Sequence, residues 1–526
     1  MAPGTFSAGQ NLPREEAKAE YESGLAFQRA GNTAAALDAF GRAVRLDPDY
    51  VEACAQLANA AKAAQRSRLG ARAQTKPAPD TTLREFRALY ASLAAASPDK
   101  AVYQWAQGQF DESETQEAAE SYYRKAVALD AGFVPAHLSL ATTLTYRGDL
   151  AGARHYLQNA YELDPEDPDV LAAYAQRVGE SDYPLYCKLT DGFLRRFPGH
   201  SAGCELLSRM SVHEGNLTAR IADLERLKNM YPPSVNSSSE WYMRFLLDAY
   251  NRTDPPKALS LAQEMSIIVP SRNTQREWQD SARYEQNLVT ARALMDRGLY
   301  ATAAEQLNGW TTPYLVSPDP QSLLQAEALA KAGKPKQAYK LLVDAMAAEP
   351  SDSLRPALLR YGKQLKKTQA QVEQDVWSRM VDFSSSIKNF KLTNLDGKQV
   401  RLPDYRGRVV LLNFWDPMSA ACREEFPIMQ RMLDKYGTQG LVIIAINVRP
   451  AQDAIAGVVM RHYGFVALRV PDSQWVLKNY YIDTTPANIL IDRRGRAFFR
   501  PAFWGYDPRH AFELMVETLL SRGAKD

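Results

Sequence analysis

The spacing of hydrophobic residues changes once along the chain, near residue 384. From about residue 16 to residue 380, apolar residues recur with the helical period, whereas residues 384–526 contain short continuous or alternating apolar runs. The helical period predicts an all-α region, and the continuous runs at 409–414 and 441–448 predict buried parallel strands. The pattern therefore predicts a multidomain protein in which a helical array precedes an α/β domain.

A pattern of small and aromatic residues recurs about every 34 residues within the helical region. The first copy consists of Gly24, Phe27, Ala36, Phe40, Ala43 and Pro48. Its second half returns as Ala119, Tyr123 and Ala126, as Ala153, Leu157, Ala160 and Pro165, and as Ala338, Leu342, Ala345 and Pro350. Small residues let paired helices approach closely, and the proline ends the second helix. A repeat of this length and composition resembles the tetratricopeptide repeat.

The resemblance to tetratricopeptide repeats implies a curved groove that binds a protein or peptide partner. One subclass clamps a C-terminal carboxylate with Lys and Asn at set positions. Here those positions hold Tyr21 and Leu25 in one repeat and Leu138 and Thr142 in another, so we do not expect that clamp. The alternative is an array that forms oligomers or only supports the C-terminal domain.

Residues 409–427 contain the chemistry of the α/β domain. The strand at 409–414 leads through Asp416 and Pro417 into a helix, and Cys422 falls in the first turn of that helix. The helix dipole and the unpaired backbone N–H groups favour a thiolate at such a position. The residues that match the TlpA-type thioredoxin-like thiol-disulfide oxidoreductases are Asn413, Phe414, Trp415, Cys422, Arg423, Glu425 and Pro427. The domain therefore resembles that family.

One departure from the family pattern bears directly on function. The first, nucleophilic cysteine of the family is replaced by Ser419, and the tryptophan that usually precedes it is replaced by Met418, so the motif reads S-A-A-C. Thr485 and Pro486 stand where the family carries a cis-proline facing the active site. The resemblance thus implies Trp415, Met418 and Thr485 as substrate-binding residues and Pro486 as the cis-proline of the site.

Thiol-disulfide exchange needs an attacking thiolate and a second thiol that resolves the mixed disulfide. Ser419 cannot form that disulfide, and we predict that it caps the helix N-terminus instead. Cys422 is then the only candidate catalytic thiol, and it has no partner in C-x-x-C spacing. The expected function is a degenerate oxidoreductase that acts as a partner-binding module.

Two other functions remain open from the sequence. In the first, Cys422 works as a monothiol, through a mixed disulfide or a sulfenic acid that an external thiol resolves. The second, a peroxiredoxin-like peroxidase, is less favoured. In that family a proline usually stands seven residues before the reactive cysteine, whereas Pro417 is five residues before Cys422.

Composition excludes several classes of partner. The 526 residues carry 63 basic and 61 acidic side chains, a net charge of +2, which gives no reason to expect nucleic acid or an anionic membrane surface.

No apolar run is long enough to span a bilayer, and residues 1–20 lack the apolar core of a signal peptide. The histidines show no metal-binding spacing, so neither a metal nor another cofactor is expected. The TlpA resemblance nevertheless implies an extracytoplasmic, periplasmic location in a bacterium, with the cytoplasm as the alternative.

Four cysteines are too few and too scattered for a disulfide scaffold. We interpret Cys54, Cys187 and Cys204 as buried structural thiols, while a disulfide between Cys187 and Cys204 stays open. The predicted organisation is a disordered N-terminus at 1–15, a tetratricopeptide repeat at 16–66, a linker and short helix at 67–98, tetratricopeptide-like repeats at 99–380 and a thioredoxin-like domain at 384–526.

Overall fold

A computed structural model describes residues 12–71, 81–111, 117–147, 149–179, 182–213, 216–313, 316–417, 419–498 and 508–522. The chain divides into two compact units, Met1–Tyr183 and Pro184–Asp526. Residues 1–11, most of the predicted disordered segment, lie outside the described residues. No helix among the described residues is both long enough and apolar enough to cross a membrane.

The described part of the first unit is helical. Its helices are α1 (Leu12–Arg29), α2 (Thr33–Leu46), α3 (Val51–Ala71), α4 (Thr81–Ala96), α5 (Ala101–Gln109), α6 (Glu117–Leu129), α7 (Val134–Tyr146), α8 (Leu150–Leu163) and α9 (Pro168–Val178). Consecutive helices pack against each other around buried aromatic rings such as Phe40 and Phe110. Helix α4 falls in the segment predicted as a linker and short helix, and its Phe86 and Tyr90 are buried in this core.

Helices also dominate the described residues between 183 and 383. They are α10 (Tyr183–Arg196), α11 (Ala202–His213), α12 (Leu217–Met230), α13 (Ser237–Thr253), α14 (Pro255–Ile268), α15 (Arg272–Asp296), α16 (Tyr300–Gln306), α17 (Asp319–Lys331), α18 (Pro335–Ala348), α19 (Arg355–Gln364) and α20 (Gln369–Phe383). Helix α20 begins with a reciprocal capping box between Thr368 and Gln371.

The α/β domain follows α20 and is built on one mixed sheet. Its strands are β1 (Ser385–Ser386), β2 (Lys391–Asn394), β3 (Gln399–Arg401), β4 (Val409–Trp415), β5 (Leu441–Asn447), β6 (Val466–Arg469), β7 (Ala487–Ile491) and β8 (Arg496–Phe498). They lie in the order β1-β8-β7-β4-β5-β6-β2-β3, with β4 parallel to β5 and antiparallel to β7. Its helices are α21 (Ala420–Tyr436), α22 (Asp453–Met460), α23 (Trp475–Tyr480) and α24 (Pro508–Ser521). The predicted fold class, an all-α region followed by a thioredoxin-like domain, is confirmed.

The central strands are apolar because both faces of the sheet are covered. Every residue of β4 is buried, and its alternate side chains enter two separate cores. Leu411 packs beside α21 and α24 residues in one core, and Leu412 belongs to the other. A strand covered on both faces reads as a continuous apolar run, which is the pattern the sequence shows.

Helix α20 shares the core of the α/β domain. Trp377 is buried and stacks on Phe498 of β8, with ring centroids 5.8 Å apart and an interplanar angle of 16°. The guanidinium groups of Arg496 and Arg522 lie over the same indole, 5.5 and 5.3 Å from its centroid. Met380 joins the same hydrophobic cluster. The last helix before the sheet is therefore a packed part of this domain.

Candidate functional site

Ser419 caps the helix that carries the cysteine. Its backbone is extended, with φ −78° and ψ 119°, and its Oγ accepts a hydrogen bond of 3.3 Å from the backbone N–H of Cys422. This bond satisfies one of the N–H groups that have no partner within the first turn of a helix. The structure confirms the predicted capping role of Ser419.

Cys422 is fully buried under the turn that joins β4 to α21. Its exposed fraction is 0%, and its Sγ accepts a hydrogen bond from the backbone N–H of Asp416 at 3.4 Å. Burial raises the pKa of the Cys422 thiol above its ordinary value, although hydrogen bonds from Ser419, Asp416 and Thr485 act to lower it. The balance keeps the sulfur protonated at neutral pH, because the pKa stays raised.

The other predicted site residues surround Cys422 unequally. The peptide bond between Thr485 and Pro486 is cis, both residues are half-buried, and the Thr485 side chain reaches the thiol. Trp415 is fully buried, with its ring set edge-on against Phe426 at 5.0 Å between centroids. Met418 lies outside the described residues. Thr485, half-buried like Asp416 and Ser419, therefore contributes to the partly exposed surface next to Cys422.

A buried polar cluster links the motif to the cis-proline strand. Asn413 donates to Glu425 Oε2 at 3.2 Å and to Asn488 Oδ1 at 2.8 Å, and Asn488 in turn donates to Glu425 Oε2 at 3.2 Å. All three residues are at most 2% exposed. The cluster ties β4, α21 and β7 together, and the negative charge of Glu425 acts to raise the pKa of Cys422.

Sequence reasoning identified Asn413 and Glu425 as part of the motif but missed Asn488. The available signal was an asparagine within the otherwise apolar strand Ala487–Ile491. A buried polar residue in such a strand needs a hydrogen-bond partner on a neighbouring element. Here the partners come from residues 63 and 75 positions earlier in the chain, and that pairing depends on the fold.

Charged residues at the ends of the neighbouring elements are paired. Arg449 contacts Asp416 at 2.8 Å, between Nε and Oδ2, and Arg469 contacts Asp453 at 3.2 Å. Arg423 donates to the carbonyl of Pro417 at 2.7 Å and so braces the turn before Ser419. The contacts at Asp416 and Pro417 hold the turn that joins β4 to α21.

The site contains one thiol. All four cysteines lie in the described ranges, and none of them forms a disulfide. The disulfide between Cys187 and Cys204 that the sequence left open is therefore not formed in this structure. Because Ser419 occupies the position of a second sulfur, the site cannot close an internal disulfide.

Comparisons with known proteins find relatives of the C-terminal domain. Residues 384–496 match the AhpC/TSA family. The thiol-disulfide oxidoreductase ResA of Geobacillus thermodenitrificans (strain NG80-2) is 35% identical over 117 residues, which cover 22% of this chain and 67% of that protein. Through its C-terminal domain, the chain belongs to the family of the thiol-disulfide oxidoreductase ResA.

Other relatives carry similar descriptions. The thiol-disulfide oxidoreductase ResA of Bacillus thuringiensis subsp. konkukian (strain 97-27) is 28% identical over 116 residues, which cover 22% of this chain and 67% of that protein. The solution structure of a thiol:disulfide interchange protein from Bacteroides sp. is 26% identical. That alignment covers 27% of this chain and 92% of the other, with a TM-score of 0.23.

Proposed function

We propose that the C-terminal domain is a degenerate thiol-disulfide oxidoreductase that works as a partner-binding module on a tetratricopeptide-like scaffold. The observation that carries the proposal is the state of the two motif positions. Ser419 uses its hydroxyl to cap α21, and Cys422 is a fully buried thiol with a raised pKa.

The chemistry of exchange supports this proposal. In a dithiol cycle, an exposed thiolate attacks a substrate disulfide, forms a mixed disulfide and releases one substrate thiolate. A second thiol then attacks the mixed disulfide, so that the substrate leaves fully reduced and the domain is oxidised. Ser419 cannot take the first step, and Cys422 has neither the exposure nor the partner for both steps.

What the domain retains is a surface for an extended chain. Thr485 and the cis Pro486 are half-buried just before β7, and the Thr485 side chain reaches the buried sulfur. An extended peptide can bind such a surface through backbone hydrogen bonds and side-chain contacts without any redox step. Binding of this kind requires no thiolate, so the loss of the first cysteine would leave it intact.

Repeated contacts in the helical region support the tetratricopeptide-like scaffold. Hydrogen bonds join Trp105 to Ser139, Arg226 to Asp191 and Tyr339 to Asp375, at sequence separations of 34, 35 and 36 residues. Such spacing is expected when each helical pair contacts the next. A groove along the array would hold a protein or peptide partner, and self-association through the repeats is the competing outcome.

We also propose an extracytoplasmic location in a bacterium. Support comes from the TlpA resemblance and from the bacterial sources of the relatives described above. Fractionation of cells that express the full natural gene would test it, with the protein recovered in the cytoplasmic fraction as the contradicting result.

The redox half of the proposal is tested with an insulin reduction assay on three proteins. We expect no activity from the wild type and measurable activity from Ser419→Cys, because the new thiol lies at the helix N-terminus with Cys422 three residues later. Ser419→Ala is the matched control, since it loses the same cap without gaining a sulfur. Robust activity of the wild type would overturn the proposal.

The binding half is tested with reduced insulin B chain as an extended-peptide probe. We expect the wild type to bind the peptide and Thr485→Arg to bind it several-fold more weakly, because the new side chain would cover the surface beside Pro486. Ser521→Arg adds the same charge at an exposed position on α24 and should bind as the wild type does. Equal binding by all three proteins would contradict a site at Thr485.

A monothiol enzyme is the second candidate, and three contacts favour it. Burial raises the pKa of Cys422, but hydrogen bonds from the Ser419 side chain, the Asp416 N–H and the Thr485 side chain act to lower it. If these bonds stabilise a thiolate during transient opening, Cys422 could form a mixed disulfide with glutathione disulfide or a sulfenic acid with peroxide. Mass spectrometry of the folded protein after either treatment decides between the two candidates, and an unmodified Cys422 supports the binding module.

A further inference from the structure

Helices α13 and α15 are joined by a buried contact between an amide and a carboxyl group. Asn251 on α13 donates from Nδ2 to Glu285 Oε1 on α15 at 2.7 Å. Asn251 is 2% exposed and Glu285 is 0% exposed, so water has no access to either side chain from outside. The contact lies in the helical region, far along the chain from the motif of the α/β domain.

Each partner of this contact has one further oxygen. Among the described residues, neither Asn251 Oδ1 nor Glu285 Oε2 has a hydrogen-bond partner. Both atoms accept hydrogen bonds and cannot donate them while the carboxyl group is ionised, so the ionised form leaves two buried acceptors unsatisfied. A proton on Oε2 would act as a donor to Oδ1. The amide and the carboxylic acid would then exchange two hydrogen bonds.

Burial also disfavours the ionised form of Glu285. Burial raises the pKa of Glu285 to about 8, and the like charge of Asp248 adds to this, while the bond from Asn251 and the charge of Arg292 lower it. Asp248 is itself buried, and burial raises its pKa to about 6. The charged groups that act on this joint come from four helices: Arg220 on α12, Asp248 and Arg252 on α13, Arg292 and Asp296 on α15, and Asp319 and Glu327 on α17.

We propose that Glu285 is protonated in the folded array and forms a reciprocal acid–amide pair with Asn251, which makes the joint between α13 and α15 sensitive to pH. No redox step or ligand is involved. The proton on Glu285 is released when the joint opens and the carboxyl group reaches water.

The direction of the pH effect follows from this exchange of a proton. Because the carboxyl group binds its proton more tightly in the closed joint than in water, opening releases a proton, and raising the pH favours opening. The stabilisation from the protonated pair is complete below the ordinary pKa of a glutamate and is lost as the pH rises to about 8. Between pH 6 and pH 8 the opening equilibrium should increase roughly 50-fold through Glu285. Asp248 is about half ionised at pH 6 and completes its titration within this window, which adds a further factor of about two.

Hydrogen exchange of the full chain, followed peptide by peptide in α13 and α15, tests the proposal. After correction for base catalysis, we expect the wild type to show the roughly 50-fold increase in opening between pH 6 and pH 8. Glu285→Gln places an amide where the protonated acid stood, so it should keep the pair and lose this pH dependence. Glu305→Gln, at an exposed glutamate on α16, is the matched control and should behave as the wild type.

A second measurement keeps the test decisive if Glu285→Gln folds poorly. Infrared spectroscopy of the wild type at pH 6 should show a buried protonated carboxyl band that disappears by pH 9. Absence of that band, or the same pH slope in wild type and Glu285→Gln, would mean that Glu285 is ionised and that a buried water satisfies the two oxygens. Either result would overturn the proposal.

Discussion

Replacement of Trp377 by alanine tests whether α20 is an integral part of the C-terminal domain. The indole is 5% exposed, stacks on Phe498 and has the guanidinium groups of Arg496 and Arg522 over its ring. If the domain began only at β1, removal of this side chain would affect the last helix alone. If the packing is shared, the loss should extend to the sheet.

The expected loss of stability follows from what the Trp377 side chain contacts. Truncation of a buried tryptophan to alanine costs about 3–5 kcal/mol, from lost apolar burial and the cavity left behind. Each cation over the ring contributes about 0.5–1 kcal/mol at a partly exposed site. Part of that contribution is recovered, because both guanidinium groups can return to water. We therefore expect Trp377→Ala to lower the free energy of unfolding of the domain by about 3–5 kcal/mol.

The assay is hydrogen exchange of the full chain, read in peptides from β4, β7 and β8. A loss of about 3 kcal/mol corresponds to roughly a 150-fold increase in the opening equilibrium of these strands. Trp310→Ala, at a side chain that is 41% exposed, is the control and should change the same strands by no more than about 0.5 kcal/mol. Unchanged exchange in all three strands of Trp377→Ala would refute the shared core.

Two further substitutions test the motif itself. Ser419→Ala should destabilise α21 by about 0.5–2 kcal/mol through loss of the helix cap, measured by urea unfolding of the domain, and an unchanged midpoint would contradict the capping role. Asn488→Leu should lower the free energy of unfolding of the domain by about 1–3 kcal/mol, because Asn413 and Glu425 each lose a hydrogen bond in a buried site. An unchanged midpoint in the same urea assay would contradict the importance of this cluster.

The sequence predicted most of the α/β domain because its signals are local. The apolar run at 409–414 became β4, which extends to Trp415, and the run at 441–448 became β5, which ends at Asn447. The cap at Ser419 was also predictable, because a hydroxyl three residues before an unpaired backbone N–H is a short-range arrangement.

Long-range contacts could not be predicted in this way. The pairing of β1 with β8 and the stacking of Trp377 on Phe498 join residues more than one hundred positions apart. The helical period places Trp377 on an apolar face of α20 without identifying what covers that face. Likewise, the pairing of Asn251 with Glu285 depends on the alignment of two helices, which their separate sequences do not determine.

The most direct test of the proposed function is the rate at which Cys422 reacts with a thiol reagent in the folded protein. The rate is measured by mass spectrometry, with the denatured chain as the reference for the same cysteine. A free cysteine is a few per cent thiolate at neutral pH, and burial lowers both that fraction and the access of the reagent. We predict labelling at least about 100-fold slower in the folded protein than in the denatured chain. Labelling faster than in the denatured chain, with a thiolate titration below that of free cysteine, would contradict the account and indicate a working monothiol enzyme.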